Sequence, residues 1–475
     1  MVARRRQARP LGLRPKATAP QSGRPGGPSA GPRSGAAGET PGLAVRRTAA
    51  AMLRQMIERK TPLDALLDEA HGNPHFLALD ARDRGLVRAI LGVALRRRGE
   101  IEAALARMLD RPLPEGAGAL SAILHVAAAQ ILFLDTPHHA AVDTAVRLAA
   151  SDKRTGRARG LVNGVLRRLV RERREILAQP DAARKNTPDW LFDRWRGAYG
   201  DATAERIASA HLAPPPLDLS VKTDPEAWAE RLGGIPLPTG SVRLAGSHRI
   251  AELPGYGEGA WWVQDGAAAL PARLLGDVAG KRVADLCAAP GGKTAQLAAA
   301  GALVHAVDMS ANRLRRLAAN LRRLDLSAEL VAADIREWEP PHRFDAVLLD
   351  APCTATGTIR RHPDVAWLKR PEDVVALAAL QREMLDRAAA LVIPGGVLVY
   401  CSCSLEPEEG EAQIAPFLDR HPDFLLAPVA PPEVSGLAHL LTPAGTLRTL
   451  PYHAFGEAPL MRGMDGFFAA RFRRR

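Results

Sequence analysis

Two of the four cysteines stand one residue apart in Val397-Leu-Val-Tyr-Cys-Ser-Cys-Ser-Leu405, at the end of an apolar run. A pair at that spacing can be a metal corner, a redox couple, two buried apolar side chains, or a nucleophile with a bystander. The other two, Cys287 and Cys353, lie in Asp285-Leu-Cys-Ala-Ala-Pro-Gly-Gly-Lys-Thr294 and Asp350-Ala-Pro-Cys-Thr354. Both segments follow apolar runs, and both bring an acid with them. Two further acids occupy the same kind of place: Asp308 in His305-Ala-Val-Asp-Met-Ser310 and Asp334 in Val331-Ala-Ala-Asp-Ile-Arg336.

Such residues meet only if the elements between them build one sheet. Apolar runs of strand length at Arg282–Leu286, Leu303–Val307, Glu329–Ala333, Phe344–Leu349 and Val397–Tyr400 alternate with helical patterns at Thr294–Ala300, Ala311–Leu324 and Glu372–Leu391. This alternation predicts an α/β fold, a parallel sheet with helices on both faces. Ligands of such sheets bind beyond the carboxyl ends of the strands. Gly291 and Gly292 let the backbone approach a ligand at a helix N-terminus. Asp308, about 20 residues beyond the Gly turn, is placed to bind the ribose hydroxyls of a nucleoside. Asp334 is placed to meet an adenine edge. Gly292-Lys293-Thr294 also imitates a phosphate-binding loop, and Ala346–Asp350 imitates the metal strand of an ATPase. That loop needs a glycine where Cys287 stands, and it has no use for Asp308.

The rest of the 475 residues divides by composition. Residues 1–40 are rich in Pro, Gly, Ala, Ser and Arg and read as a disordered basic arm. The first fifty residues hold nine Arg, one Lys and one acid, Glu39, within a net charge of +12. This balance points to a nucleic-acid partner; a solubilising tail is the plainer alternative. Residues 41–178 carry Leu, Ala and Val at three-to-four spacing and predict an all-helical domain of about five to seven helices. Its segments are Ala44–Glu58, Asp83–Arg97, Glu100–Leu109, Ala117–Leu134 and Ala140–Leu148. Its clusters at Arg96, Arg97, Arg98, Arg167, Arg168, Arg171, Arg173 and Arg174 read singly as solvated helix faces. Residues 179–270 read as a small α+β connector. A helix over Pro188–Tyr199 is broken by Pro214-Pro215-Pro216, and strands follow at Leu217–Val221 and Trp261–Val263. Residues 271–475 form the α/β domain. No run is apolar enough for a membrane span and no secretory signal leads the chain, so a cytoplasmic protein is expected. Four cysteines do not make a disulfide framework, and without a C-x-x-C pair no metal site is expected.

Together these motifs resemble a known family. DLCAAPGGKT (285–294), AVD (306–308), AAD (332–334), DAPCTATGT (350–358) with Arg361-His-Pro-Asp364, and YCSCSLEPEE (400–409) are similar to the RsmB/Fmu (Sun) type of bacterial 16S rRNA cytosine-C5 methyltransferase. Gln264-Asp265 and the ending Asp465-Gly-Phe-Phe-Ala-Ala-Arg471 fit the same pattern. Residues 42–175 resemble a NusB-like RNA-binding domain. The resemblance implies a Rossmann-like class I methyltransferase domain, S-adenosylmethionine as cofactor, and small-subunit rRNA as partner, with cytosine 967 as target. It implies that Cys287, Ala288, Ala289, Pro290, Gly291, Gly292 and Lys293 line the methionine end of the cofactor, that Asp308 holds the ribose, and that Asp334 meets the adenine. Asp350 would lie between cofactor and base, with Cys403 as nucleophile and Cys353 as the releasing cysteine. Ser402 replaces a frequent Thr, Thr354 a frequent Ser, and Leu219-Ser-Val-Lys-Thr223 an expected Arg-Val-Asn core. Cys287 reads as a small core residue. Cys401 reads as turned to the strand face opposite Cys403, and so as buried and inert. A monomer with no membrane contact is expected. The rival readings are the same chemistry on tRNA or another RNA, an RNA-binding assembly factor without activity, and the ATPase.

Overall fold

The computed structural model describes residues 42–475 apart from 69, 70 and 115; the expected basic arm over 1–40 lies outside the described residues. Among the described residues the helical part holds α1 (Leu43–Arg59), α2 (Leu63–Leu67), α3 (Pro74–Leu77), α4 (Ala81–Arg96), α5 (Arg98–Met108), α6 (Gly118–Phe133), α7 (His138–Ser151) and α8 (Arg159–Leu177). That is more than expected, because α2 and α3 are too short to show a period and α8 hides its apolar stripe among arginines. α6 is buried on nearly every side from Leu120 to Leu132 and forms the axis on which α1, α4, α7 and α8 pack. Its sequence is apolar all round, as a central helix requires.

The arginine clusters are not simply solvated. Arg173 donates to the carbonyls of Ile131 and Leu132 at 2.8 and 3.0 Å, closing the C-terminal turn of α6. Arg96 donates to the His211 carbonyl at 3.1 Å, and the Arg98 guanidinium lies 4.8 Å from the centre of the Trp367 ring. Long arginine stems cover apolar surface while their heads find acceptors, which sequence spacing does not reveal.

The connector holds three helices more than the one expected, over Ala182–Lys185, Asp201–Ala210 and Pro225–Leu232. The chain turns at Gly200 (φ 81) between helices Asp189–Tyr199 and Asp201–Ala210. A four-stranded antiparallel sheet comes next, built from β1 (Leu217–Val221), β2 (Ile235–Pro236), β3 (Ser241–Leu244) and β4 (Trp261–Val263) in the order β2-β3-β1-β4. Register places Asp218 opposite Arg243, and both side chains are fully buried. The guanidinium meets the carboxylate through two hydrogen bonds, of 2.6 and 2.8 Å. It also donates to the carbonyls of Leu460 and Arg462, tying the small sheet to the C-terminal segment.

The larger sheet runs β10-β12-β9-β8-β5-β6-β7, with β11 also paired to β12. Its strands are β5 (Arg282–Leu286), β6 (Leu303–Asp308), β7 (Glu329–Ala332), β8 (Phe344–Asp350), β9 (Val392–Ser402), β10 (Phe424–Leu426), β11 (Leu447–Thr449) and β12 (Phe467–Arg474). β5 to β9 are parallel, as the alternating pattern predicts, whereas β12 enters antiparallel beside β9 and makes the sheet mixed. Alternate residues serve two cores. Val283, Ala306, Leu348 and Val399 pack on one face, and Ala284, Val307, Leu349 and Tyr400 on the other. No helix among the described residues is long and apolar enough to cross a membrane.

Removing one member of a buried ion pair strands the other, at a cost of about 3–5 kcal/mol. Asp218→Ala is expected to lower the free energy of unfolding by that amount, read from urea titration. A loss below about 1 kcal/mol would show that the pair contributes no more than an exposed one.

Candidate active site

The carboxyl ends of β5, β6, β7, β8 and β9 gather the predicted residues along one edge. β5 ends beside Asp285, whose Oδ2 accepts from the Thr294 hydroxyl at 2.6 Å while its Oδ1 is buried without a partner. Burial, with Asp350 and Asp308 nearby, raises this carboxyl to about 7 against the pull of Thr294 and Lys293. The next turn, Cys287 to Gly291, includes a cis Ala289–Pro290 peptide and opens the helix Gly292–Ala299. Gly291 stands at φ 101, and a Cβ there would come within 2.6 Å of the Leu317 side chain, so glycine alone lets the turn seat on the next helix. Cys287 packs partly buried against the core, and burial first, then the three acids, push its thiol well up.

Asp308 and Asp334 occupy the expected strand ends, each with its carboxylate engaged. Asp308 is buried and accepts from the backbone N–H groups of Ala289 and Ser310 at 3.2 and 2.9 Å; Arg313 stands 3.4 Å from it and also donates to the Ala289 carbonyl. Asp334 accepts from both the backbone and the guanidinium of Arg336, whose hydrogen bonds hold its carboxyl low. Arg313 and Arg336 escaped the sequence reading. The usable signal was an arginine two to five residues beyond each strand-end acid.

β8 and β9 pair in parallel with Asp350 opposite Cys401. Lys293 donates to Asp350 Oδ2 at 2.8 Å. Burial works to lower the lysine, but the groups facing it, Asp350 first, together outweigh burial and keep the amine protonated. Beyond the strand ends, the Ala351 N–H donates to the Cys401 carbonyl and the Gly357 N–H to the Cys403 carbonyl, both at 3.0 Å. The loops so joined bring Cys353 Sγ to 3.3 Å from Cys403 Sγ, with both thiols free and half-buried. The hydrogen bond with Cys403, then burial, raise the Cys353 thiol well above its ordinary range.

The expected orientation of Cys401 is wrong. Residues two apart in a strand project to the same face, and Cys401 and Cys403 pack on one core while Tyr400 packs on the other. Cys401 is fully buried, as expected, but it is not remote: its Sγ lies 3.4 Å from Asp350 Oδ1.

A further acid missed in the sequence is Glu409, wholly buried beneath both cysteine loops. It accepts from the Thr354 N–H at 2.9 Å, the Gln381 amide at 3.1 Å, the Ser404 hydroxyl at 2.5 Å and the Thr354 hydroxyl. Its backbone carbonyl accepts from Tyr400 and Ser402 at 2.8 and 2.7 Å. Nearby, Arg360 and Arg361 pair with Asp265 and Asp465, anchoring the far end of the Cys353 loop. Burial works to raise the Asp265 carboxyl, and the two guanidiniums overcome it and hold it ionised.

The edge therefore offers strand-end carboxylates, one orphaned buried carboxylate oxygen, and a lysine–aspartate pair beside two thiols. These acceptors suit a ligand with an ammonium group and ribose hydroxyls. Residues 272–473 match the profile of the 16S rRNA methyltransferase RsmB/F family, and residues 43–171 that of the NusB family. Ribosomal RNA small subunit methyltransferase B of Vibrio cholerae is 36% identical over 400 residues, covering 80% of this chain and 91% of the relative. The protein of the same name from Salmonella arizonae is 36% identical over 413 residues, covering 83% and 95%. Among solved structures, PH0851 superposes with a TM-score of 0.69 at 25% identity, over 92% of this chain and 99% of that one. NSun6 of Pyrococcus horikoshii, solved with SFG, gives a TM-score of 0.50 at 22% identity, over 60% and 98%, a likeness of fold alone.

Asp285 makes stability depend on pH in a direction unusual for a carboxylate. The fold holds its proton to about pH 7, the unfolded chain only to about 3.8. Its contribution is thus complete below pH 3.8 and is lost as pH rises through 7. Asp285→Asn, which mimics the protonated form, should gain roughly 2–4 kcal/mol on the parent between pH 4 and pH 8 in urea unfolding. Parallel stability curves would remove the assigned proton.

Proposed function

We propose that this chain, which belongs to the 16S rRNA methyltransferase RsmB/F family and is an RNA cytosine-5 methyltransferase, methylates C5 of cytosine 967 through a covalent adduct on Cys403. The observation that carries this reading is the contact of Cys353 with Cys403 beside the Asp350–Lys293 pair. S-adenosylmethionine, when bound, supplies an electrophilic sulfonium methyl. The turn from Cys287 through Ala288, Ala289, Pro290, Gly291 and Gly292 to Lys293 would hold its methionine end, Asp308 its ribose and Asp334 its adenine.

C5 of cytosine is too weak a nucleophile to take a methyl unaided. Cys403, as thiolate, bonds to C6 and drives the C5–C6 π pair into the ring, so that charge develops toward N3. A proton passes to N3 through Asp350, which shares it with the Lys293 ammonium. Cys353 stays a thiol while its neighbour is charged, and its S–H can donate to the Cys403 sulfur. Adduct formation removes that charge, so Cys353 passes its proton to solvent water and becomes the base. After methylation Cys353 takes the C5 proton, the C–H pair re-forms the C5–C6 double bond, Cys403 leaves as thiolate, and N3 returns its proton to the Asp350–Lys293 pair. The base must be unstacked to reach this edge, so the target lies in a loop or is flipped out.

Cys403→Ala is expected to abolish methylation while cofactor affinity, measured by calorimetry, is kept; residual methylation would displace Cys403 as nucleophile. Cys353→Ala should accumulate an RNA–protein adduct stable to denaturing electrophoresis, and free turnover would remove Cys353 from release. Bisulfite sequencing of rRNA and tRNA from a deletion strain identifies the target. Loss of a tRNA mark with rRNA intact would overturn the substrate.

A further inference from the structure

Both thiols must address adjacent atoms of one base, C6 and C5, within the same encounter. They belong to different loops, separated by about fifty residues of chain. The residue after each thiol is held by one buried group: Thr354, next to Cys353, and Ser404, next to Cys403, both donate to Glu409. We propose that Glu409 is a positioning residue for the methyl-transfer reaction, a single carboxylate that keeps the two thiols in contact so that addition and release act on the same base. The proposal rests on the covalent reading of Cys403 and Cys353.

A carboxylate suits the site closely, because every group that faces it can donate. Oε1 faces two N–H donors, the Thr354 backbone and the Gln381 amide, and Oε2 faces two hydroxyls. An ionised carboxylate is an acceptor only, with room for all four. Gln381 extends the brace, for its amide also donates to the Pro352 carbonyl at 2.9 Å, and its Oε1 accepts from Tyr400. Thr354 and Ser404 are themselves 3.1 Å apart through their hydroxyls. The backbone bond from Gly357 to Cys403 keeps the loops side by side; Glu409 sets how the two residues next to the sulfurs sit within them.

A glutamine in its place can turn its oxygen to the two N–H groups and its amide to the two hydroxyls, which rotate to accept. Alanine leaves all four donors facing a void. Release needs both sulfurs in place, whereas addition needs only Cys403. A displacement of about 1 Å at a reacting group costs on the order of 100-fold in rate. In the full-length enzyme, Glu409→Ala should therefore lower kcat about 100-fold, leave the KM for S-adenosylmethionine within about twofold, and accumulate the denaturation-stable RNA adduct. Glu409→Gln should recover most of the rate and lose the adduct. If Glu409→Ala fails to fold, Thr354→Val with Ser404→Ala provides the second route and should show the same adduct. Turnover of Glu409→Ala within about threefold of the parent would overturn the proposal. So would Glu409→Gln and Glu409→Ala equally impaired, without adduct. Cys353→Ala serves as the control: if it traps RNA while the Glu409 variants do not, only the role of Glu409 falls; if it traps none, the covalent reading falls first.

Discussion

The parallel pairing of β8 with β9, in the register that sets Asp350 opposite Cys401, governs the geometry of the site. Parallel neighbours end at the same edge, so the loops that leave them must meet there. The Cys353 loop and the Cys403 loop thus start side by side, and the two backbone bonds from Ala351 and Gly357 prolong the pairing past the strands. A register slip of one residue would turn Cys401 to the other core and carry Cys403 away from Cys353. The two cores make that slip costly, because Val399 and Cys401 serve one face while Leu398 and Tyr400 serve the other.

Around this edge the fold tolerates charge that an ordinary core would not. Lys293 is buried with Asp350 as its ion partner, Glu409 is buried with four donors, and Asp285 is buried with one oxygen unsatisfied. Desolvation of each group is offset by neighbours to a different degree: by four hydrogen bonds at Glu409, by pairing at Lys293, and incompletely at Asp285. Local structure that departs from the arrangement stability alone favours concentrates where ligands bind. The contrast with the Asp218–Arg243 pair is informative, since that pair is equally buried, fully satisfied, and lies in the small sheet.

The helical part is joined to the Cys353 loop itself rather than to a distant surface. Asp364, in the loop that begins at Cys353, accepts from the Leu63 N–H at 2.9 Å. Trp367 donates to the Leu95 carbonyl at 2.9 Å and packs against the helical core. His362 pairs with Asp64 at 3.2 Å. Arg361-His362-Pro363-Asp364, a short way beyond the cysteine motif in sequence, thus serves two ends: Arg361 holds the loop to Asp265 and Asp465, and His362 and Asp364 dock it on the helices.

The sheet, the acids at its strand ends and the helical block were all legible along the chain, because periodicity and strand-end position reflect backbone geometry alone. So was the placement of Cys353 and Cys403 at one edge, since parallel strands leave no other arrangement. Nothing in the order of residues showed which of Glu408 and Glu409 turns inward. One lies exposed against Arg194 and the other buried beneath both thiols, a choice made by a single 3₁₀ turn packed on Gln381 and Tyr400. The partners of Arg173, Arg313 and Arg360 were equally hidden, because their long side chains reach acceptors far along the chain or inside a turn. Cys401 was misplaced although the alternation that places it was legible in Tyr400-Cys-Ser-Cys403. Spacing along a chain assigns faces and edges; which groups share a buried carboxylate is decided only when separate segments pack, because that contact has no period to announce it.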